Sequence, residues 1–334
     1  MTLMADPRRY QVVITDCDHG SITQEEQTLT GAGMRVRLEQ CRTEREVAER
    51  CGDADALLVQ YAPISQRAIR GLPRCRVVVR YGVGYDTLDL DALTAAGVWA
   101  CNVPDYSVDE VSTQAIALLL ALNRQLPRLG AATADGVWDF SLGRPAHRLL
   151  GQTLGLIGFG RIGRATGRKA LGLGLRLLAT DPALADADVR QAGAEPATLE
   201  HLLTASDYIS LHLPLTAATR HLLGPRELAR LRPSAYLINT ARGGLIDEQA
   251  LCTALTSAAL AGAALDVLER EPPPPDYALL RLPNCLVTPH SAWYSEESFA
   301  ELKTKAAEEA LRALRGERPR YALNTPARRP PGAR

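Results

Sequence analysis

A chain of 334 residues is long enough for about two domains, and 46% hydrophobic and 23% charged residues is the profile of an ordinary soluble globular protein. Its 38 basic and 38 acidic residues cancel, so composition predicts attraction neither to nucleic acid nor to an anionic membrane surface. The seven cysteines (17, 41, 51, 75, 101, 252 and 285) form no C-x-x-C pair and no metal-ligand spacing with histidine, which predicts reduced thiols, a cytoplasmic location and no metal.

The opening residues, MTLMADPRRYQVVITD, reach a strand within about ten positions and lack a signal-peptide apolar core. Strands are predicted at 11–16, 34–39, 55–61, 76–82 and 97–103, with the helical patterns TQEEQTLTG, TEREVAERCG, SQRAIRGL and DLDALTAAG between them. That alternation argues for parallel βαβ units with helices on both faces of a sheet. A longer helix is predicted from about Ser107 to Leu129, opened by Ser107 as cap with Glu110 three residues on. Its apolar stretch, Ala115 to Leu122, is too short to span a bilayer. DGVWDFSLGRPAHRLLG has no period and reads as an arm or connector.

A second series of strands is predicted at 153–160, 175–181, 207–213, 235–241, 262–267 and 285–290. The last helix, SEESFAELKTKAAEEALRALRG, is amphipathic, and the Pro- and Arg-rich tail from Glu317 reads as frayed. The expected fold is α/β, with two doubly wound parallel-sheet domains. The final helix has no sheet of its own, so it is expected to return to the first. That gives one domain of residues 1–103 plus 293–334 and another of 104–292.

The stretch LGLIGFGRIGRATGRKALGLGLRLLATD places Gly158, Gly160 and Gly163 in G-x-G-x-x-G spacing. Glycine triplets arise by chance, and a purely structural turn is the alternative. Here an apolar strand precedes the triplet, a helical pattern follows, and the next strand ends on Asp181, 18 residues after Gly163. Gly158 would permit the tight turn, Gly160 would let backbone approach a pyrophosphate, and Gly163 would let the helix pack on the strand. Unpaired N–H groups around Arg161 and Ile162 would face the diphosphate. Asp181 would accept from the adenosine ribose hydroxyls and repel a 2′-phosphate. No Arg follows it until Arg190, so NAD is expected over NADP.

Ligands of a doubly wound sheet lie beyond the carboxyl ends of its strands. Those ends carry His212, Arg242, Asp266, Glu271 and His290. Singly, Arg242 could be a surface ion pair, Glu271 a solvated acid and His290 a hydrogen-bonded ring. Together beside a dinucleotide loop they suit hydride transfer to a carbonyl. Histidine, with a free pKa of ~6.5, can protonate the developing alkoxide. Glu271 would favour the imidazolium and orient the ring. Arg242 would bind a 2-oxo acid carboxylate and polarise its carbonyl. Asp266 would meet the nicotinamide end.

With those residues in view, GLIGFGRIGR, LHLPLT, LINTARGGLIDEQAL, ALDVLEREPP and TPHSAWYSEES resemble the D-isomer-specific 2-hydroxyacid dehydrogenase family over about residues 8 to 318. The resemblance implies a flavodoxin-like substrate domain, a Rossmann NAD-binding domain and an active-site cleft between them. It implies that Arg242, Glu271 and His290 are the catalytic set. It also adds Thr113, Pro214, Thr240 and Ala241 to the cofactor contacts, and implies a homodimer through the NAD-binding domain. RYGVGYDTLDLDAL, CNVPDYSVDEVSTQAIALLLAL and PHSAWYSEES are most similar to the C-terminal-binding-protein branch of that family. That likeness implies that Trp293 lines the substrate pocket with Tyr61, and that Arg80, Val83 and Gly84 hold the substrate carboxylate. For Trp293, packing at a domain interface is the alternative.

The leading expectation is an NAD-dependent dehydrogenase acting on a D-2-hydroxy acid and its 2-oxo acid, without metal. A second reading is an NAD(H)-responsive corepressor-like binding protein. A third keeps the enzyme but gives it phosphite or a phosphonate-bearing oxo acid. Formate dehydrogenases of this kind pair the histidine with an amide, and Glu271 argues against that.

Overall fold

Four-residue apolar runs, QVVI, ALLV and VVVR among them, build the first sheet in a computed structural model that describes residues 10–18 and 20–326. The elements alternate strictly: β1 (Gln11–Ile14), α1 (Thr23–Gly31), β2 (Arg35–Leu38), α2 (Glu44–Arg50), β3 (Ala56–Val59), α3 (Gln66–Arg70), β4 (Val77–Arg80), α4 (Leu90–Ala95) and β5 (Trp99–Cys101). All pairings are parallel, in the order β2-β1-β3-β4-β5. Helices cover both faces, so β1 and β3 are buried along their whole length and need no alternating pattern. The edge strand β2 reads RVRL and keeps its charges outward. Side chains of Thr43, Ser65 and Asp89 cap α2, α3 and α4.

The second unit runs α5 (Val108–Asn123), α6 (Leu126–Ala134), β6 (Thr153–Ile157), α7 (Arg161–Gly172), β7 (Arg176–Thr180), α8 (Asp186–Gln191), β8 (Glu195–Pro196), α9 (Leu199–Ala205), β9 (Tyr208–Leu211), α10 (Pro225–Leu228), β10 (Tyr236–Asn239), α11 (Glu248–Thr256), β11 (Gly262–Leu265) and β12 (Cys285–Val287). Its seven parallel strands lie in the order β12-β11-β10-β9-β6-β7-β8. The order reverses between β6 and β9, the place where such sheets bind ligands. The fold is thus the expected pair of doubly wound parallel sheets. One unit extends to Tyr106 and resumes at Ser295, and the other spans Ser107–Tyr294. The last helix, α12 (Glu296–Leu314), packs on α1 and across β3 and β4 of the first sheet.

Three local expectations are corrected. The helix expected to run to Leu129 breaks after Asn123, because Gln125 takes a left-handed φ of 53° and Pro127 starts a new first turn. Ser107 occupies the cap position of α5, yet its hydroxyl makes no capping bond and is buried without a partner among the described residues. The tail is not frayed over its described part. The Tyr321 N–H donates to Glu309 at 3.0 Å, its hydroxyl to Asp105 at 2.7 Å, and Asn324 joins the backbone of Ala100 and Val98. Ala322 pairs antiparallel with Cys101, so the tail extends the edge beside β5. Residues 1–9 and 327–334 lie outside the described residues.

Candidate active site

The turn from β6 into α7 needs its glycines for separate reasons. Gly158 has φ +87°, and a Cβ there would lie 2.6 Å from the His212 carbonyl oxygen. A Cβ on Gly163 would lie 2.3 Å from the Gly158 oxygen, so the helix packs against the turn backbone. Around Gly160 there is open space instead. The first-turn N–H groups of α7, at Arg161, Ile162 and Gly163, have no intrahelical acceptor and carry the positive end of the helix dipole. Asp181, directly after β7, accepts from the Phe159 N–H at 2.8 Å and the Ala183 N–H at 3.0 Å. At the end of β10 the Thr240 hydroxyl is buried with no hydrogen-bond partner among the described residues. An open glycine cradle, a ribose-suited acid and an orphaned hydroxyl on one sheet edge fit a dinucleotide. Pro214 follows β9 on that edge, its carbonyl accepting from Thr219 at 2.7 Å.

Two residues expected at the cofactor also have partners within the protein. Thr113 accepts from Lys169 Nζ at 2.6 Å, within a cluster that includes Asp109 and Ser112. Lys169 sits in the third turn of α7, roughly 12 Å along the axis from its phosphate-facing end. His212 supports the glycine turn from beneath, with Nε2 2.9 Å from the Ser210 hydroxyl. Burial pushes its pKa down to about 4, so the ring is neutral. An unfolded histidine takes a proton near pH 6.5, which the native ring refuses until about pH 4. Stability is therefore expected to fall as pH drops from 6.5 to 4, and His212→Gln should flatten that slope in denaturant titrations. Equal slopes in both proteins would show that the ring titrates freely.

The carboxyl ends of β10, β11 and β12 assemble the acid–base group. Asn239 shapes the corner after β10, its amide donating to the Arg242 carbonyl at 2.8 Å and accepting from the Ala241 N–H at 3.0 Å. Arg242 Nη1 donates to the Ala241 carbonyl at 2.8 Å. Glu271 Oε2 lies 2.6 Å from His290 Nδ1, and its Oε1 accepts from the Leu268 N–H at 2.9 Å. Burial raises the Glu271 carboxyl, but the His290 bond and charge, the Leu268 N–H and the Arg242 guanidinium together hold it below its ordinary range. It stays ionised at neutral pH. With Nδ1 committed to Glu271, Nε2 is the ring nitrogen left to exchange a proton with a ligand.

His290 itself adopts a left-handed φ of 51°, a strained backbone of order 1–3 kcal/mol for a residue other than glycine. Asp266 holds that loop. Its carboxylate, 1% exposed, accepts from the Thr288 hydroxyl at 2.5 Å, the Ser291 N–H at 3.0 Å and the Ala292 N–H at 2.8 Å. Burial raises its pKa against those bonds. Asp266, expected to meet the nicotinamide end, thus also braces the loop that presents His290.

Sequence reasoning missed the supports around this group. A Cβ on Gly243 would lie 2.0 Å from the Leu268 carbonyl carbon, so this glycine lets the Arg242 and Glu271 loops touch. Glu248, at the start of α11, accepts from the Glu269 N–H at 2.8 Å and from the Tyr277 hydroxyl. Glu269 Oε1 lies 2.5 Å from His221 Nε2, a second His–Glu pair on the same loop. The doubled glycine in TARGGL was the one legible signal. Among the described residues no group of three His, Cys, Asp or Glu side chains could hold a metal ion.

In the first unit, Tyr61 is exposed and its N–H donates to the buried Asp16 at 2.6 Å. Past β4 the Arg80 guanidinium folds over Gly82, whose φ is +124°, at 2.0 Å from where a Cβ would stand. The carbonyls of Gly82 and Val83 accept from the Val103 N–H at 3.0 Å and the Asn102 amide at 2.6 Å. With those carbonyls turned inward, the N–H groups of Gly82, Val83 and Gly84 make no hydrogen bond among the described residues. Successive free amides are the kind of arrangement that can take an anion. Trp293, half-buried in the second unit, stacks edge-on against Tyr294 at 5.6 Å.

Residues 116–292 match the family model described as the NAD-binding domain of D-isomer-specific 2-hydroxyacid dehydrogenases. A glyoxylate reductase of Korarchaeum cryptofilum is 36% identical over 296 residues, 87% of this chain and 89% of that one. A D-3-phosphoglycerate dehydrogenase of Methanocaldococcus jannaschii is 37% identical over 85% of this chain, which spans only 54% of that relative's length. Among solved structures, a glyoxylate reductase from Paecilomyes thermophila superimposes with a TM-score of 0.86 at 28% identity, covering 94% of this chain and 98% of its own.

Proposed function

From the premise that the chain belongs to the D-isomer-specific 2-hydroxyacid dehydrogenase family, NAD-dependent oxidoreductases, we propose that it interconverts a D-2-hydroxy acid and its 2-oxo acid. The observation that carries this reading is the 2.6 Å Glu271–His290 pair beside Arg242, on the sheet edge that holds the glycine turn. NADH, when bound, supplies the hydride. Arg242 binds the oxo acid and draws electron density toward its carbonyl oxygen. His290 Nε2 delivers a proton to that oxygen, and ionised Glu271 steadies the positive ring before transfer. In the reverse direction the neutral ring takes the hydroxyl proton. Arg80 and the Gly82–Gly84 amides take the substrate carboxylate, with Tyr61 and Trp293 as further substrate contacts. Asp266 positions the His290 loop.

The test is NADH oxidation with glyoxylate, pyruvate and hydroxypyruvate, together with NAD reduction by phosphite. Turnover of an oxo acid supports the proposal, and turnover of phosphite alone would move the substrate class. NADH binding with no turnover of any of them would support the corepressor-like reading. The PHSAWYSEES stretch also leads us to place the chain in the C-terminal-binding-protein-like branch. A phylogeny grouping it with glyoxylate reductases would overturn that placement.

Asp181 underlies a preference for NAD. Asp181→Asn keeps a hydrogen-bond acceptor for the Phe159 N–H and removes the charge that repels a 2′-phosphate. The preference for NADH over NADPH in kcat/KM is expected to fall about tenfold, one charge repulsion of ~1.4 kcal/mol. An unchanged ratio would remove Asp181 from the ribose site.

We also propose a homodimer through the NAD-binding domain, supported by apolar side chains on α6 and the segment after it. Trp138 is 91% exposed and Phe140 79%, with Leu126 and Leu150 also outward. Large apolar side chains exposed together are a feature of interaction surfaces. A monomer in sedimentation at micromolar concentration would refute it.

A further inference from the structure

A fully buried ion pair lies in the first unit. Lys303, on α12, and Glu25, on α1, both have side chains with 0% exposure. Lys303 Nζ donates to both Glu25 oxygens, at 3.0 and 3.3 Å, and to the Ser21 carbonyl. It also lies 5.2 Å over the Phe299 ring. The Tyr81 hydroxyl donates to Glu25 Oε1 at 2.7 Å. Burial and the Glu25 charge push the Tyr81 pKa well up, so this hydroxyl remains a donor.

Burying two charges is unfavourable unless each finds its partners, and apolar side chains of similar volume often serve stability as well. In some proteins such a pair serves instead to fix one conformation. The buried carboxylate demands its donors, so the Tyr81 ring has one acceptable place. Tyr81 is also fixed by its own N–H, which donates to the Val59 carbonyl at 2.8 Å. In the chain it stands between Arg80 and Gly82, directly before the free amides of Gly82–Gly84. α12 therefore reaches that segment through two charges and one hydroxyl.

We propose that Glu25, Lys303 and Tyr81 are positioning residues that fix the Arg80–Gly84 segment for binding the substrate carboxylate. This rests on the reading that Arg80 and those amides take that carboxylate. The pair acts through Tyr81 and touches no reactant.

The test compares Tyr81→Phe, and the neutral double variant Glu25→Gln/Lys303→Met, with the unaltered protein. KM is measured for whichever of glyoxylate, pyruvate or hydroxypyruvate turns over, and NADH affinity by fluorescence titration. Hydrogen exchange is followed in peptides covering residues 76–84. Both variants should raise KM about fivefold to tenfold, the effect of a hydrogen bond's worth of misplacement, and speed exchange in those peptides. NADH affinity and kcat should stay within about threefold, less than one such bond. Cooperatively folded variants with unchanged KM and unchanged exchange would overturn the proposal, whatever their melting temperatures. Arg80→Met separates the two failures. If it leaves KM unchanged, the carboxylate reading has failed and the exchange data alone judge the positioning role. If it raises KM while the other variants do not, the positioning role has failed.

Discussion

Replacing His290 by Asn is expected to lower kcat for oxo acid reduction by about two to four orders of magnitude, some 3–5 kcal/mol of transition-state stabilisation. Asn is chosen because it tolerates the left-handed φ of 51° that His290 adopts, so the backbone need not move. NADH binding, read by fluorescence, should persist. The same residue sets the direction of the pH dependence. Reduction needs a protonated ring and should slow as pH rises, whereas oxidation needs a neutral one and should quicken. Glu271 is held ionised below the ordinary carboxylate range, so its own titration does not shape either limb near neutrality. A His290→Asn protein within tenfold of the unaltered rate would remove His290 as the proton donor.

Gly243→Ala is expected to damage stability and catalysis together. The new methyl would sit 2.0 Å from the Leu268 carbonyl carbon, 2.3 Å from its oxygen and 2.2 Å from the Glu269 nitrogen. All three are backbone atoms, so no side-chain rotation relieves the clash. One loop must move, and the moving backbone carries the N–H groups that Glu271 and Glu248 hold. Overpacking of this kind costs about 1–3 kcal/mol, which in a unit of this size lowers Tm by roughly 2–12 °C. Because the displacement separates the Glu271 loop from Arg242, kcat should fall more than the roughly tenfold that one misplaced hydrogen bond accounts for. Gly130, with open space around it in α6, is the control whose Ala variant should melt no lower than the parent, since Ala favours the helix. A Gly243→Ala protein matching that control would show that the two loops are not in contact.

Much of the architecture was legible because fully covered parallel strands are written as short apolar runs. Among the described residues, eleven of the twelve strands fall inside the predicted strand segments. The exception, β8, is two residues, Glu195 and Pro196, paired at the sheet edge with no apolar run to betray it. The break in the long helix had a signal in Pro127, but Leu-rich periodicity on either side masked it. Nothing near Tyr321 or Asn324 hinted that the tail would be tied to Asp105 and Ala100, since those partners lie over 200 residues away.

Local chemistry fixes how far a sequence can be read. Glycine spacing, the acid after β7, and Arg, Glu and His at successive strand ends are short-range patterns, and they determined the sheet type, the cofactor loop and the candidate catalytic trio. Folding decided what each neighbour is for. Asp266 looks like one more strand-end acid until three donors from the loop after β12 converge on it. Thr113 is expected at the cofactor, and folding adds Lys169 as a partner of its hydroxyl. The pairing of Glu25 with Lys303 joins residues at opposite ends of the chain, and only the packing of α12 on α1 brings them within 3.0 Å. Contacts that a buried charge or a backbone approach demands depend on which atoms arrive together, and sequence separation does not record that.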